Sequence, residues 1–497
     1  MKLKYLYTFA ILCLCLSSIA QKKNILTLDL DASIEIAKKQ SYSIRMLSES
    51  LKGAEYNLKA ATSSFKTHVT LDMELPNYSE RITSYQDSIG LTYFSDKQLS
   101  YSTNLTINQP LPTDGNLFIQ SGIFNTDDYD QDEKIMQMTT RLGFSQPIQS
   151  LYMYNKIKTD YERAKTNYEL TGKRLKRNEL DIIYQVSETF YRLHSSKERM
   201  KIANKSLQRQ EKAYQIAENK FKAGLIREVE ALQMEVDLGE ARNTYDLASV
   251  NYETQLNIFK QTLGISLKDS IVLKSDFNYH PIQVDVQKAI KHGLDSRMEL
   301  KEKQLQLKLA ELDIKRVKSY GAISGSINAY YDLIGIERTD RNTSLNRAIK
   351  NSWSNLKDRP GNFGVAFKVS IPILDWGENK ARVKSAQTQI NQNLLDIEEE
   401  TVTIEREIIS TVNNLHSSLR RLQLLEKNVE VAEKSFAISQ SRFSNGDIDT
   451  QALALDRERL DNSHISHLEA YISYKMNLAD LMRKTFYNFE KNKEVAY

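Results

Sequence analysis

A sevenfold apolar repeat constrains this chain more than any other feature, and it occurs twice, 222 positions apart. Val186, Leu193, Met200, Leu207, Tyr214 and Phe221 form one seam, and Ile408, Leu415, Leu422, Val429, Phe436 and Phe443 form the other. A strict seven-residue seam requires a left-handed supercoil against a neighbouring helix. Each seam ends at a Phe-x-x-Gly sequence, Phe221 to Gly224 and Phe443 to Gly446. Glycine supplies the left-handed backbone that stops a helix, so the simplest neighbour is the return helix, and each copy reads as a helical hairpin. Proline placement permits this: the seven prolines stand at 76, 110, 112, 147, 281, 360 and 372, leaving 148–280 and 373–497 free of helix breakers. From Pro147 to Gly224 is about 75 residues, which at about 1.5 Å per residue makes a hairpin on the order of 100 Å long.

The duplication extends beyond the seams. Ile34, Ala54 and Leu58 match Ile290, Ala310 and Ile314, and Ser145-Gln146-Pro147 matches Ser370-Ile371-Pro372. A tandem repeat over 21–280 and 281–497 accounts for these, with helical hairpins at about 150–264 and 378–485. Ahead of each hairpin the apolar period drops from seven to two. Val69, Leu71, Met73 and Leu75 alternate with polar residues, as do Met136, Met138, Thr140, Leu142 and Phe144. In the second half Ile323, Gly325, Ile327 and Ala329 do so, then Val365, Phe367, Val369 and Ile371. The expected strands are about 67–77 and 136–147 in the first repeat and about 323–333 and 363–372 in the second, of roughly the 9 to 11 residues that cross a bilayer. A further hairpin within 99–125, turning around Thr113-Asp114-Gly115, has no counterpart in the second half; extra membrane strands and an extracellular flap are both open. Four strands cannot close a barrel, and an open edge is prohibitive in hydrocarbon, so several copies must share one.

The N-terminus fits export. Lys2 and Lys4, an apolar stretch from Leu6 to Leu16 and Ser18-Ile19-Ala20 read as a signal peptide over 1–20. Cys13 and Cys15, the only two cysteines, lie inside it and each follows a leucine, which weighs against lipid attachment. The remaining chain has no thiol for a disulfide or metal site. Its net charge of +4 falls nearly to zero without the leader, and charges of both signs are mixed throughout, so no nucleic-acid partner is expected. No later stretch is apolar for long enough to be a membrane helix.

The Leu28 to Ile44 start, the Ser-Gln-Pro and Ser-Ile-Pro-Ile junctions and the two Phe-x-x-Gly turns, in this order and duplicated, resemble the TolC family of outer membrane factors over nearly all of the mature chain. The resemblance implies a mainly α protein with membrane β-strands: duplicated hairpins forming a periplasmic α-barrel, and a homotrimer whose twelve strands make one outer-membrane β-barrel. It implies a passive duct for small molecules or polypeptides in a tripartite efflux or type I secretion system. A periplasmic adaptor (membrane fusion protein), an inner-membrane pump and outer-membrane lipid would be its partners. Phe221, Gly224 and Leu225, with Phe443, Gly446 and Ile448, would form the tips that meet the adaptor. In some members an aromatic hydroxyl and an arginine lock the mouth; Phe443 lacks the hydroxyl and Ile448 stands in place of the arginine. Positions that carry aperture aspartates in some members fall at Ala452 and Leu455, while Glu228, Glu230, Asp447 and Asp449 lie close by as candidate aperture acids.

Each feature also has a plainer reading. The glycines serve as corners whether or not the tips dock, and acids at helix starts suit the helix dipole. His464 and His467 have metal-pair spacing beside Asp461 but read as surface histidines. No His-Glu-x-x-His, phosphate loop or Gly-x-Ser-x-Gly occurs, so no catalytic residue, metal or cofactor is assigned and the chain is not expected to be an enzyme. Tyr78, Tyr85, Tyr93, Tyr101, Tyr330 and Tyr331 fit an interfacial belt or ordinary strand composition equally. A non-conducting periplasmic coiled-coil scaffold or adaptor would explain the heptads but leave the strands without a purpose.

Overall fold

In a computed structural model, residues 25–86, 88–274 and 279–494 are described; the expected signal peptide lies outside them. Two compact units are formed by the described residues of Met1–Glu49, Lys173–Leu300 and Glu399–Tyr497 on one hand and of Ser50–Gly172 and Lys301–Glu398 on the other. Each unit draws on both sequence repeats.

The second unit is organised by one antiparallel sheet. Its strands are β2 (His68–Gln86), β3 (Leu91–Pro110), β4 (Asn116–Asp128), β5 (Glu133–Pro147), β7 (Ser324–Asp340) and β8 (Asn362–Ser370), adjacent in that order. The chain therefore supplies six strands to one sheet, not four. The difference is the hairpin left open above: β3 and β4 lie between the first repeat's other two strands, pairing Ile107 with Ile119 and Ile119 with Leu142. They are staves, not a flap. Their turn lies at the end of the sheet where the long helices begin, and the junction residues are spent on holding it. Gln146, 6% exposed, donates from Nε2 to the Thr113 carbonyl at 2.8 Å and accepts from Thr113 Oγ1 at 2.6 Å. Asp114 accepts from the amides of Lys156 and Ile157, both at 3.3 Å, at the free start of α4 (Lys156–Lys222). A carboxylate there satisfies orphan amides and complements the dipole. Ile371, the counterpart of Gln146, is exposed and has no such turn to clasp. The repeat is thus asymmetric where the insertion demands it.

The strands also run longer than alternation suggests, 13 to 20 residues for β2 to β5. Their outer portions carry charged and polar residues on both faces, which hides the period from a reading based on apolar spacing. Between β7 and β8 stands α8 (Leu345–Asp358), a helix the sequence reading did not anticipate, because its apolar residues are few and it lies inside a loop. Ala348, Ser352 and Leu356 form its buried stripe, one turn apart.

The other unit is built on hairpins. Helix α4 returns through α5 (Glu228–Leu263), and α9 (Glu378–Asn445) returns through α10 (Thr450–Thr485). In α9 the buried positions Ile404, Ile408, Thr411, Leu415, Ser418 and Leu422 alternate by four and three, the two apolar positions of a heptad, against Ala470, Tyr471, Tyr474, Leu478 and Leu481 of α10. The α4–α5 pair repeats the arrangement with Val186, Phe190 and Leu193 against Leu256, Phe259 and Leu263. A short parallel pair, β1 (Ile25–Leu28) with β6 (Ser270–Leu273), covers this second cluster together with α1 (Leu30–Gln40).

Two stability predictions follow from these contacts. Leu415→Ala, at a fully buried seam position, should cost about 2 to 5 kcal/mol in unfolding free energy. Asp114→Ala should cost about 1 kcal/mol, the usual loss for a helix cap. Denaturant titration of purified protein in detergent measures both.

Candidate channel wall and hairpin tips

The register of the sheet separates two chemistries. Residues directly opposite on neighbouring strands share a face. Reading across from Leu71, one face carries Leu105, Ser121, Thr140 and Leu333, and the next row carries Val69, Ile107, Ile119, Leu142, Tyr331 and Phe363. Leu117, Phe144, Ala329, Val365, Ile327 and Phe367 continue it. The alternating residues that pair within the strands share this face, while Ile323 and Ile371 lie just beyond the strand ends and Leu75 at a bulge. From Met136 to Phe144 the apolar positions cover about 26 Å of strand at about 3.3 Å per residue, close to the band of about 25 Å on membrane barrels. The opposite face carries Asp72, Glu74, Asn104, Gln120, Gln137, Thr139, Arg141, Asn328, Asp332 and Lys368.

On that polar face Arg141 of β5 grips Asp332 of β7 in a two-pronged pair, Nε to Oδ1 at 2.5 Å and Nη2 to Oδ2 at 2.8 Å, and the guanidinium stands 5.0 Å from the Tyr330 ring centre. Asp332 is 6% exposed, so the pair ties the two repeats together inside the wall. Sequence reading missed it: each charge sits at a polar position of its strand, but 191 residues separate them and only the register makes them partners. The tyrosines of the supposed belt divide. Tyr78, Tyr93, Tyr101 and Tyr331 share the apolar face, whereas Tyr85 and Tyr330 share the polar one.

At the tips the two turns have the same backbone and different surroundings. Gly224 has φ +70° and Gly446 φ +86°. In each, the glycine amide bonds to the Phe carbonyl, Gly224 to Phe221 at 2.8 Å and Gly446 to Phe443 at 3.1 Å, and the next amide reaches one residue further back, Leu225 to Lys220 and Asp447 to Arg442, both at 2.9 Å. This is the Schellman closure, and no atom lies within 4 Å of an added Cβ, so glycine is required by backbone angle alone. Phe443 is buried beside Ala217, Met234, Phe436, Leu453 and Leu460, with Ile226 and Ile448 against them. Phe221 is 41% exposed and Leu225 73% exposed. The asymmetry has a cause in Lys220, whose amine donates to the Phe443 carbonyl at 2.7 Å and lies 4.7 Å from that ring's centre. The first hairpin thus folds its lysine over the second hairpin's phenylalanine and leaves its own outside.

Of the candidate aperture acids, Asp449 caps α10 by accepting from the Ala452 amide at 2.8 Å, and Glu230 accepts from Arg227 Nε at 2.9 Å. Glu228 and Asp447 are exposed. The four are therefore divided between local structure and open surface.

His464 and His467 are half-buried rather than on the surface, among Tyr279, Glu426, Asp461 and Arg209. Burial pushes both imidazoles below their ordinary range, against the opposing pull of Glu433 and Asp461 on His464 and of Glu426 on His467. Among the described residues the only group of three acids or histidines close enough to hold a metal ion is Asp96, Asp128 and Asp130, away from these histidines.

A membrane-length sheet with one apolar and one polar face, in a chain that also forms long paired helical hairpins, has the pattern of a membrane-wall protein. The chain belongs to the outer membrane efflux protein family, whose model matches residues 121–264 and 326–484. No curated protein sequence matches it. Among solved structures it is similar to the Campylobacter jejuni CmeC outer membrane channel, with TM-score 0.68 and 14% identity over 97% of this chain and 91% of that one. It is also similar to VceC of Vibrio cholerae, TM-score 0.62 and 14% identity over 92% and 95% of the two chains, and to the open state of the Neisseria gonorrhoeae MtrE channel, TM-score 0.64 and 14% identity over 92% and 88%. As a member of this family it is an efflux channel of the outer membrane, and the family's proteins serve transport. A pore-free scaffold gives no role to a two-faced sheet.

Lys220→Ala should release Phe443 and raise protease cleavage near 440–450, while Lys222→Ala, exposed and paired only with Glu218 on its own helix, should not. Acidification should also loosen the α9–α10 hairpin. A histidine held below its ordinary range favours folding at pH above about 6.5; as pH falls through that value the unfolded chain takes up protons that the folded one resists, and the stability is lost. The melting temperature should drop between about pH 7 and pH 5, and less so in the His464→Asn, His467→Asn double variant.

Proposed function

We propose that three copies of this chain close a single barrel of eighteen strands, six from each, in place of the twelve implied by resemblance. The observation that carries this is a membrane-length sheet with two open edges, β2 and β8, whose backbone groups have no partner strand on one side among the described residues. In hydrocarbon each such group costs several kcal/mol, so the edges must meet those of another copy. The same copies align their helical hairpins into a periplasmic tube, and cargo passes along the polar face lined by Arg141, Asp332 and their neighbours. The tips meet a periplasmic adaptor that couples the tube to an energised inner-membrane pump. Exposed Phe221 and Leu225 on the first tip offer an apolar docking edge, and the half-buried Ile448 stiffens the second. Glu228 and Asp447 are the acids free to face the opening and attract cations; Asp449 and Glu230 hold the turns.

Cysteine pairs test the barrel cleanly, because the only native cysteines are Cys13 and Cys15. A cysteine at Thr70, Asp72 or Glu74 on β2, combined with Ala366→Cys on β8, should yield a disulfide-linked trimer for one combination; monomers from all three would overturn the shared barrel. For the tips, Leu225→Asp should abolish export of toxic dyes in cells lacking the wild-type protein while trimers remain inserted and conduct ions in planar bilayers. Unimpaired export would reject docking at that residue.

A further inference from the structure

Helix α8 descends along the apolar face of the sheet, from the end of β7 at Asp340 to the start of β8 at Asn362, which lies opposite Asp332. On the apolar face, the row Tyr101, Asn125, Met136 and Glu337 divides the membrane band from a polar zone of Asp127, Lys134 and Thr339. The helix is fastened on that row. Ser352 Oγ donates to the Met136 carbonyl at 2.8 Å, and Asn355 Nδ2 donates to the Ile336 carbonyl at 2.9 Å. Gly335 lies directly beneath; a Cβ there would approach the Ser352 carbonyl to 2.0 Å, so only glycine admits the helix this closely.

Its orientation follows from the same contacts. Asn351 and Asn355 reach Glu337, on the loop-end side of Gly335, at 3.0 and 3.1 Å. At about 100° per residue the opposite flank carries Ile349 and Trp353, and Trp353 lies further from the Asp340 end of β7 than Arg347 and Lys350 do. The remaining face, directed away from the sheet, carries Arg347, Lys350 and Lys357. Arg347 and Lys350 have no ion-pair partner among the described residues, and Lys357 lies 5.2 Å from the centre of the Trp353 ring, which is 48% exposed. The helix therefore has a polar flank pinned to Glu337, an indole flank opposite it and a cationic crest between them, with Arg347 and Lys350 toward the strand end and Trp353 deeper along the sheet.

We propose that α8 is a binding site for anionic lipid in the outer leaflet: Arg347, Lys350 and Lys357 engage headgroup phosphates while Trp353 and Ile349 enter the adjoining apolar layer. Cations at the headgroup level beside an interfacial tryptophan are the combination that attracts phosphate-bearing lipid and sets the depth of a segment in the bilayer. Asp358, the one acid near the crest, accepts from Ser354 at 3.4 Å and stands three turns along the helix from Arg347. The site rests on the outer-membrane placement of the barrel and adds a lipid contact on its outer surface.

The chain has two tryptophans, Trp353 and Trp376, so Trp376→Phe isolates the indole in question. The purified trimer of that variant is placed in bilayers of phosphatidylglycerol or of phosphatidylcholine, each with shallow-brominated acyl chains. Trp353 emission should be quenched in both, by about twofold more in the anionic lipid, and Arg347→Gln, Lys350→Gln and Lys357→Gln together should erase the difference. Inorganic phosphate should leave the quenching unchanged. Water-like, unquenched emission, equal quenching in the two lipids, or loss of the difference on adding phosphate would each overturn the assignment, the last by showing a soluble-anion site. Heat-modifiable migration and ion conduction, measured on every variant, report insertion separately, so a failed lipid site is distinguished from a failed channel.

Discussion

Backbone hydrogen bonding in hydrocarbon is the constraint on which this protein depends. A strand inside a bilayer has no water to satisfy its unpaired groups, and only closure removes an edge. The six strands meet this demand internally at five junctions and leave it unmet at β2 and β8. Other features of the sheet can be read as service to those junctions. Asp114 and Gln146 hold the inserted turn against the start of a long helix, and the Arg141–Asp332 pair bonds one repeat to the other on the wet side. The charges lie where water reaches them, and the face that meets lipid keeps its apolar rows until the level of α8.

The hairpin unit solves a different problem with a different period. Two helices of unequal length, 67 and 36 residues in the first pair and 68 and 36 in the second, bury a narrow seam and leave most of their surface polar or thinly apolar. Leu247, Val250, Val402, Leu424, Val431 and Ile438 remain more than half exposed, the surface expected of helices that pack further in an assembly. Duplication delivers two such hairpins from one ancestral pattern, but the copies have diverged in use. The same Phe-x-x-Gly turn buries its ring in one copy and exposes it in the other, and the choice is made by Lys220, a residue that belongs to the other hairpin.

Likeness at 14% identity reports shared architecture, and the family match begins at residue 121, inside β4. The strands ahead of it, β2 and β3, lie outside the matched segments while pairing residue for residue with the rest. A hairpin joins an antiparallel sheet at little cost because each new strand satisfies its neighbour as it satisfies itself.

Periodicity made much of this legible without coordinates. Sevenfold spacing marked the seams, alternation marked the strand faces, and the repeated glycine turns marked the corners, because each is a local consequence of backbone geometry written into every few residues. Strand number was less legible: alternation located four strands where the sheet has six. Which strand lies beside which could not be read from the sequence. The placement of β3 and β4 as staves, the union of Arg141 with Asp332, the unequal burial of Phe221 and Phe443 and the seating of α8 on Gly335 all depend on residues far apart in the chain. Such contacts leave no period behind, since each is satisfied by a single partner whose position only the folded register supplies.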